Sequence, residues 1–167
     1  MRLRHIDNKQ IYYLPGHGRV IRSGLGKELL ARGYELAGRE TVEPFRALTF
    51  SQQVQIVAND LQSNFWHESD RVVANSFGAY LFLHAQLIMK PYVGRVLLLS
   101  PIVGEFSSDE LGMGFSPPYP RKLREFAEEG KFPAPKECEI HVGEQDWQSV
   151  PNNVRALGEC IDVPVTI

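Results

Sequence analysis

One stretch, Arg71 to Gln86 with the sequence RVVANSFGAYLFLHAQ, limits the possible folds more than any other part of the chain. Val72, Val73 and Ala74 form a short β-prone apolar run. Asn75, Ser76 and Phe77 interrupt it, and Gly78 and Ala79 lead into an apolar helix carrying Tyr80, Leu81, Leu83 and Leu87. A strand, a small polar turn and a helix in that order is what a nucleophile elbow needs. A serine on so tight a turn stands proud of the sheet edge. The backbone N–H after it, on Phe77, then points where an oxyanion would form. Small residues flank the turn because strand and helix approach closely there. Ala74-Asn75-Ser76-Phe77-Gly78 fits G-x-S-x-G with alanine in the first position. The same pentapeptide also suits an ordinary strand–helix turn in which Ser76 only caps the helix.

The remainder of the chain alternates strand and helix patterns. Met1 to Ile6 reads as an edge strand and Ile11 to Leu14 as a compact one that runs into Pro15-Gly16-His17-Gly18. Ser23 reads as an N-cap for a helix whose apolar face is Leu25, Leu29 and Leu30 and which Gly33 stops. Tyr34 to Ala37 is the next strand. Val54, Val57, Ala58 and Leu61 recur at helical spacing after Ser51, and Phe65 extends that face. Arg95 to Leu99 is a continuous apolar run of the kind a strand buried on both faces requires. From Val103 to Pro135 Gly, Ser and Pro accumulate, with a short helix between Pro120 and Glu129; this reads as an insertion over one end of a sheet. Cys138 to Val142 is a strand, Pro151 to Cys160 a helix with proline in its first turn, and Val163 to Ile167 a last β-rich run. The pattern predicts an α/β fold with a mostly parallel central sheet flanked by helices. Ligands in such sheets bind at the carboxyl ends of the strands. Three turns lie at that end, at Pro15–Gly18, Asn75–Phe77 and Gly143–Asp146.

Composition narrows the function classes. The chain has 167 residues, enough for one domain with a single buried core. A net charge of −2 gives no electrostatic reason for a nucleic-acid or membrane partner. No apolar run reaches the roughly 20 residues that span a bilayer, and MRLRHIDNKQ is not followed by an apolar signal region. Cys138 and Cys160 make neither a disulfide framework nor a metal pattern, and they read as reduced thiols of a cytoplasmic protein. No cluster has metal-site spacing, and LPGHGRVIRSG lacks the G-K-[ST] ending of a phosphate loop, so neither a metal nor a cofactor is expected.

At LPGHG, ANSFGA and VGEQDWQSVP the chain resembles the α/β-hydrolase superfamily, in particular its small, nearly capless esterase-like serine hydrolases. The resemblance runs from Ile11 to Ile167. It implies one minimal α/β-hydrolase-like domain over residues 1–167 with a lid-like insertion at about 103–135. It further implies that Ser76 is the nucleophile and Asp146 the acid orienting a histidine. His17 and Phe77 would supply the oxyanion N–H groups, with Gly16 and Gly18 shaping the first loop. Glu144 is a competing acid, and Asp146 is also readable as a polar turn residue capping the helix after it. Met113, Phe115 and Tyr119 are the substrate-pocket candidates, being apolar residues in a Gly/Pro-rich loop.

The chain departs from the family pattern in its base. The family order is serine, acid, histidine, yet no histidine follows Asp146. His84 lies eight residues along the elbow helix, about 12 Å of axial rise from Ser76, too far to take its proton. His67 belongs at the opposite end of the sheet, His141 inside a strand as a packed and satisfied residue, and His5 has no motif around it. Only His17 sits in a suitable loop, which makes it the substitute-base candidate. Two function classes follow. One is a serine hydrolase cleaving a small-molecule carboxylic ester or thioester through an acyl-enzyme. The other is a catalytically impaired protein of the same fold serving as a binding or interaction module. The final IDVPVTI reads as a core strand, from which a C-terminally shortened form of a longer protein is expected.

Overall fold

The computed structural model describes residues 8–167. The edge strand expected over Met1–Ile6, with His5 in it, lies outside the described residues. The elements are, in order, β1 (Gln10–Leu14), α1 (Leu25–Ala31), β2 (Glu35–Gly38), α2 (Phe50–Asn64), β3 (Arg71–Asn75), α3 (Phe77–Leu87), β4 (Arg95–Leu99), β5 (Phe106–Ser108), β6 (Met113–Phe115), α4 (Lys122–Glu128), β7 (Glu137–His141), α5 (Pro151–Ile161) and β8 (Val165–Thr166). A 3₁₀ turn at Phe45–Ala47 precedes α2.

Among the described residues six strands form one sheet in the order β2-β1-β3-β4-β7-β8, and every pairing described in it is parallel. The side-chain period of two divides each strand between two faces. Tyr12, Leu14, Val72, Ala74, Val96, Leu98 and Ile140 point into the larger core, against Val57 and Leu61 of α2, most of α3, Leu123 of α4 and Val154 of α5. Ile11, Tyr13 and Val73 point the other way, where Leu25 and Leu29 of α1 meet them. Each large side chain buried this completely stabilises the fold by about 1.5–3 kcal/mol. The apolar set of the central strands therefore fixes the register, since a one-residue slip would exchange the two faces.

Local chemistry sets the helix ends. Thr49 and Gln52 form a capping box at the start of α2, with Gln52 N–H donating to Thr49 Oγ1 at 3.2 Å and Thr49 N–H to Gln52 Oε1 at 3.0 Å. The start of α1 differs from the sequence expectation. Gly24 occupies the cap position at φ 52°, and the Ser23 hydroxyl donates to the carbonyl of Val20 instead. A serine one position too early cannot reach the free N–H groups of the first turn. The 103–135 segment holds a hairpin, β5 paired antiparallel with β6, in addition to the expected helix, α4. Among the described residues no helix is long and apolar enough to cross a membrane.

Candidate active site

The strand order reverses direction at β1: β2 lies on one side of it and β3 on the other. At such a switch point the loops leaving adjacent strand ends diverge to opposite faces and open a crevice. Leu14 and Ala74 are register partners at that edge, so the Pro15–Gly18 loop and the Asn75–Phe77 turn leave the sheet side by side.

Ser76 sits at φ 53°, ψ −118°, a conformation that a residue with a Cβ adopts only at a cost of about 1–3 kcal/mol. Packing on both sides holds it there. Ser76 N–H donates to the carbonyl of Leu99 at 3.0 Å, and its own carbonyl accepts from Ile102 N–H at 3.2 Å. Gly78 permits the approach that the turn requires: a Cβ at that position would stand 2.2 Å from the carbonyl oxygen of Leu14. The Ser76 side chain makes no capping hydrogen bond to α3, so the helix-cap alternative does not describe it. Its hydroxyl is half-buried and faces Gly16, where even an added Cβ would come only to 3.9 Å of Oγ.

Thr41, a residue that sequence reasoning passed over, braces the first loop. Buried to 3 % exposure, its hydroxyl bonds the carbonyl of Gly16 and accepts from Arg19 N–H at 3.0 Å, while Thr41 N–H donates to the Arg19 carbonyl at 3.0 Å. A lone threonine in a loop of mixed composition carries no pattern that singles it out. His17 projects from the braced loop. Its ring is exposed and meets the ring of Phe77 edge-on at 5.4 Å. Neither the His17 nor the Phe77 backbone N–H donates to another described residue.

The third loop serves itself first. Asp146 Oδ1 accepts from the backbone N–H groups of Gln148 at 3.1 Å and Ser149 at 3.0 Å, and Oδ2 accepts from the Ser149 hydroxyl at 3.2 Å. No described histidine reaches it, and Glu144 is exposed with no partner among the described residues. Its neighbours Trp147 and Gln148 line the cavity over Ser76.

The other histidines are elsewhere. His84 is 97 % buried on α3 between the rings of Phe50 at 5.0 Å and Tyr80 at 4.3 Å. Burial, helped by the charge of Lys122, pushes its pKa down to about 3. His67 precedes β3 at the far end of the sheet, bonded to Ser69. His141 differs from expectation: it is the last residue of β7, partly exposed, and Nε2 lies 3.2 Å from Glu139 Oε2 on the same strand face. Among the described residues, no helix past the reach of α1 covers that face to bury the ring.

A cavity of about 510 Å³ opens over Ser76, walled by Phe106, Met113, Phe115 and Trp147, with His17 at its edge. A second, of about 250 Å³, adjoins it behind His17, Phe77 and Phe115. The structure thus brings Ser76, His17, Phe77, Met113 and Phe115 together. Tyr119 lies outside both linings; its ring stands 6.2 Å from that of Phe50, and its carbonyl accepts from the buried Tyr80 hydroxyl at 3.1 Å. Among the described residues no group of His, Cys, Asp and Glu is placed to hold a metal ion.

No protein-family model and no curated protein matches the sequence. Solved structures do match the fold. The ydeN gene product of B. subtilis superposes with a TM-score of 0.62 at 15 % identity, over 94 % of this chain and 83 % of that one. The monoacylglycerol lipase of Paleococcus ferrophilus gives 0.65 at 13 % identity, over 94 % and 82 %. A lipase-esterase related protein from Clostridium acetobutylicum gives 0.62 at 11 % identity, over 98 % and 88 %.

Proposed function

From the premise that this chain has the α/β-hydrolase fold, we propose that it is a serine hydrolase acting on carboxylic esters or thioesters through an acyl-enzyme on Ser76. The observation that carries this reading is the Ser76 backbone at φ 53°, ψ −118° with an uncapped hydroxyl facing a cavity. Strain of this kind persists only where the surroundings over-determine it. In the proposed reaction Ser76 Oγ bonds to the carbonyl carbon and the bond from that carbon to the leaving oxygen or sulfur breaks. The Oγ proton ends on the departing alcohol or thiol, and water then releases the acid. The uncommitted N–H groups of His17 and Phe77 are the candidates for holding the oxyanion.

The proton needs a carrier, since an unassisted serine hydroxyl is a poor nucleophile. His17 is the one described histidine on this cavity, and it has no carboxylate partner among the described residues. The rate expected of the 167 residues is therefore low. It is nearer the roughly 10³–10⁴-fold over water that survives loss of one member of a triad than the rate of a complete triad. The engagement of the Asp146 carboxylate by its own turn favours a second reading, a binding module that keeps the fold without turnover.

A fluorophosphonate probe tests the first reading. Labelling should map to the peptide containing Ser76 and vanish in Ser76→Ala; labelling that persists in that variant removes Ser76 from the role. His17→Ala should abolish hydrolysis of activated aryl esters if its imidazole carries the proton, and leave a weak rate unchanged if it acts only through its backbone.

A further inference from the structure

The two adjoining cavities share an electrostatic character that the chain as a whole lacks. The sequence holds 20 acidic residues against 18 basic ones, yet no aspartate or glutamate lines either cavity. Arg19 lines the cavity over Ser76 and Arg46 the smaller one behind Phe77. Neither guanidinium has an ion-pair partner among the described residues, whereas Arg39, Arg95 and Arg124 are each paired with a carboxylate. The smaller cavity is walled by four phenylalanines, Phe45, Phe50, Phe77 and Phe115, which suits a flat ring better than a charge. The main chain of Arg19 is pinned on both sides by Thr41, two residues beyond His17. Arg19, itself exposed, thereby stands at the rim of the cavity in which the leaving group would lie.

We propose that this site selects esters or thioesters with an aromatic acyl group and an anionic leaving group. The ring enters the phenylalanine-walled cavity and the anion meets Arg19. The proposal rests on the Ser76 reading for the position of the scissile bond. A guanidinium recognises carboxylate and phosphate alike through paired N–H donors, so the chemistry shared by the two is what the site reads.

Binding tests this apart from turnover. Trp147 on the cavity wall is a fluorescent reporter in the Ser76→Ala protein. Hippurate, a benzamide with a carboxylate on its leaving side, is titrated against its uncharged methylamide, and N-benzoyl-2-aminoethyl phosphate provides the phosphate arm. Hippurate, the phosphate ligand or both should bind about 5- to 10-fold more tightly than the methylamide. The preference should shrink as salt rises and disappear in Arg19→Gln. Whichever anion binds more tightly names the source. Equal affinity for charged and neutral ligands overturns the proposal, as does a preference lost in Arg46→Gln and retained in Arg19→Gln. Fluorophosphonate labelling of the wild-type protein is read in parallel. Labelling without an anion preference refutes the specificity alone, and an Arg19-dependent preference without labelling refutes the serine chemistry alone.

Discussion

His84 shows what burial does to a single side chain. Enclosed by the rings of Phe50 and Tyr80, with Nε2 lacking a partner among the described residues, it stays neutral in the fold down to a pKa of about 3, while an unfolded chain protonates it near 6.5. Between those values the unfolded state binds the extra proton. The stabilising contribution is therefore whole above about pH 6.5 and lost progressively as pH falls toward 3. Urea melts should show about 2–3 kcal/mol less stability at pH 4.5 than at pH 7 from this residue, and His84→Leu should remove that part of the slope. A variant as acid-sensitive as the wild type would place the cause elsewhere. Thr41 is the other decisive single residue, because its hydroxyl is the brace between the Gly16 carbonyl and the Arg19 N–H. Thr41→Val keeps the shape and removes the hydroxyl, leaving the buried Gly16 carbonyl and the partly buried Arg19 N–H short of a partner. Stability should fall by about 1–2 kcal/mol, and the rate of Ser76 labelling should fall several-fold; an unchanged labelling rate would mean that the loop holds its shape unaided.

At the scale of elements, the elbow depends on how closely α3 lies on β1. Gly78→Ala puts a Cβ 2.2 Å from the Leu14 carbonyl oxygen, with backbone on both sides and nothing flexible to yield. A loss of about 3 kcal/mol or more is expected in a denaturant melt, together with loss of labelling as the turn moves. A well-folded Gly78→Ala protein labelled at the wild-type rate would contradict the account of the turn. This element was legible in the sequence because its constraints are local: a strand, a helix and a turn that admits only small residues. The β5–β6 hairpin was not. Phe106–Ser108 and Met113–Phe115 are three residues each, too short for a period of two to stand out, and their pairing is held by contacts such as Phe106 on Phe115 at 5.4 Å, which only the folded chain supplies. Ser23 misled for a related reason, since a cap residue is recognised by type whereas its role depends on a shift of one position. His141 misled because a strand pattern says nothing of whether a helix covers that part of the sheet.

Across the whole molecule, the candidate site is assembled from five separated stretches. These are the loop after β1, the turn before α2, the elbow after β3, the hairpin of the 103–135 segment and the loop after β7. The sequence marked the first and third by their glycines and their place after strands. It pointed to Met113 and Phe115 only as apolar residues in a loop, and it could not have told that Phe45 and Phe50 would close the far wall. Phe115 is where these stretches meet, because it lines both cavities and packs against Phe106 at 5.4 Å and near His17 at 6.5 Å. It is itself 38 % exposed, so truncation should cost the fold little, less than the 3–5 kcal/mol of a phenylalanine removed from a core. Phe115→Ala joins spaces of about 510 and 250 Å³ into one continuous cleft. Alkyl fluorophosphonates of increasing chain length should then discriminate between the two proteins. The wild type should fall off once the chain outgrows the phenylalanine-walled cavity, and the variant, with that wall opened, should react with the longer probes several-fold faster relative to the shortest. An identical length profile, with the variant folded and still labelled on Ser76, would mean that Phe115 does not divide the cleft in solution and that the acyl chain leaves by another route.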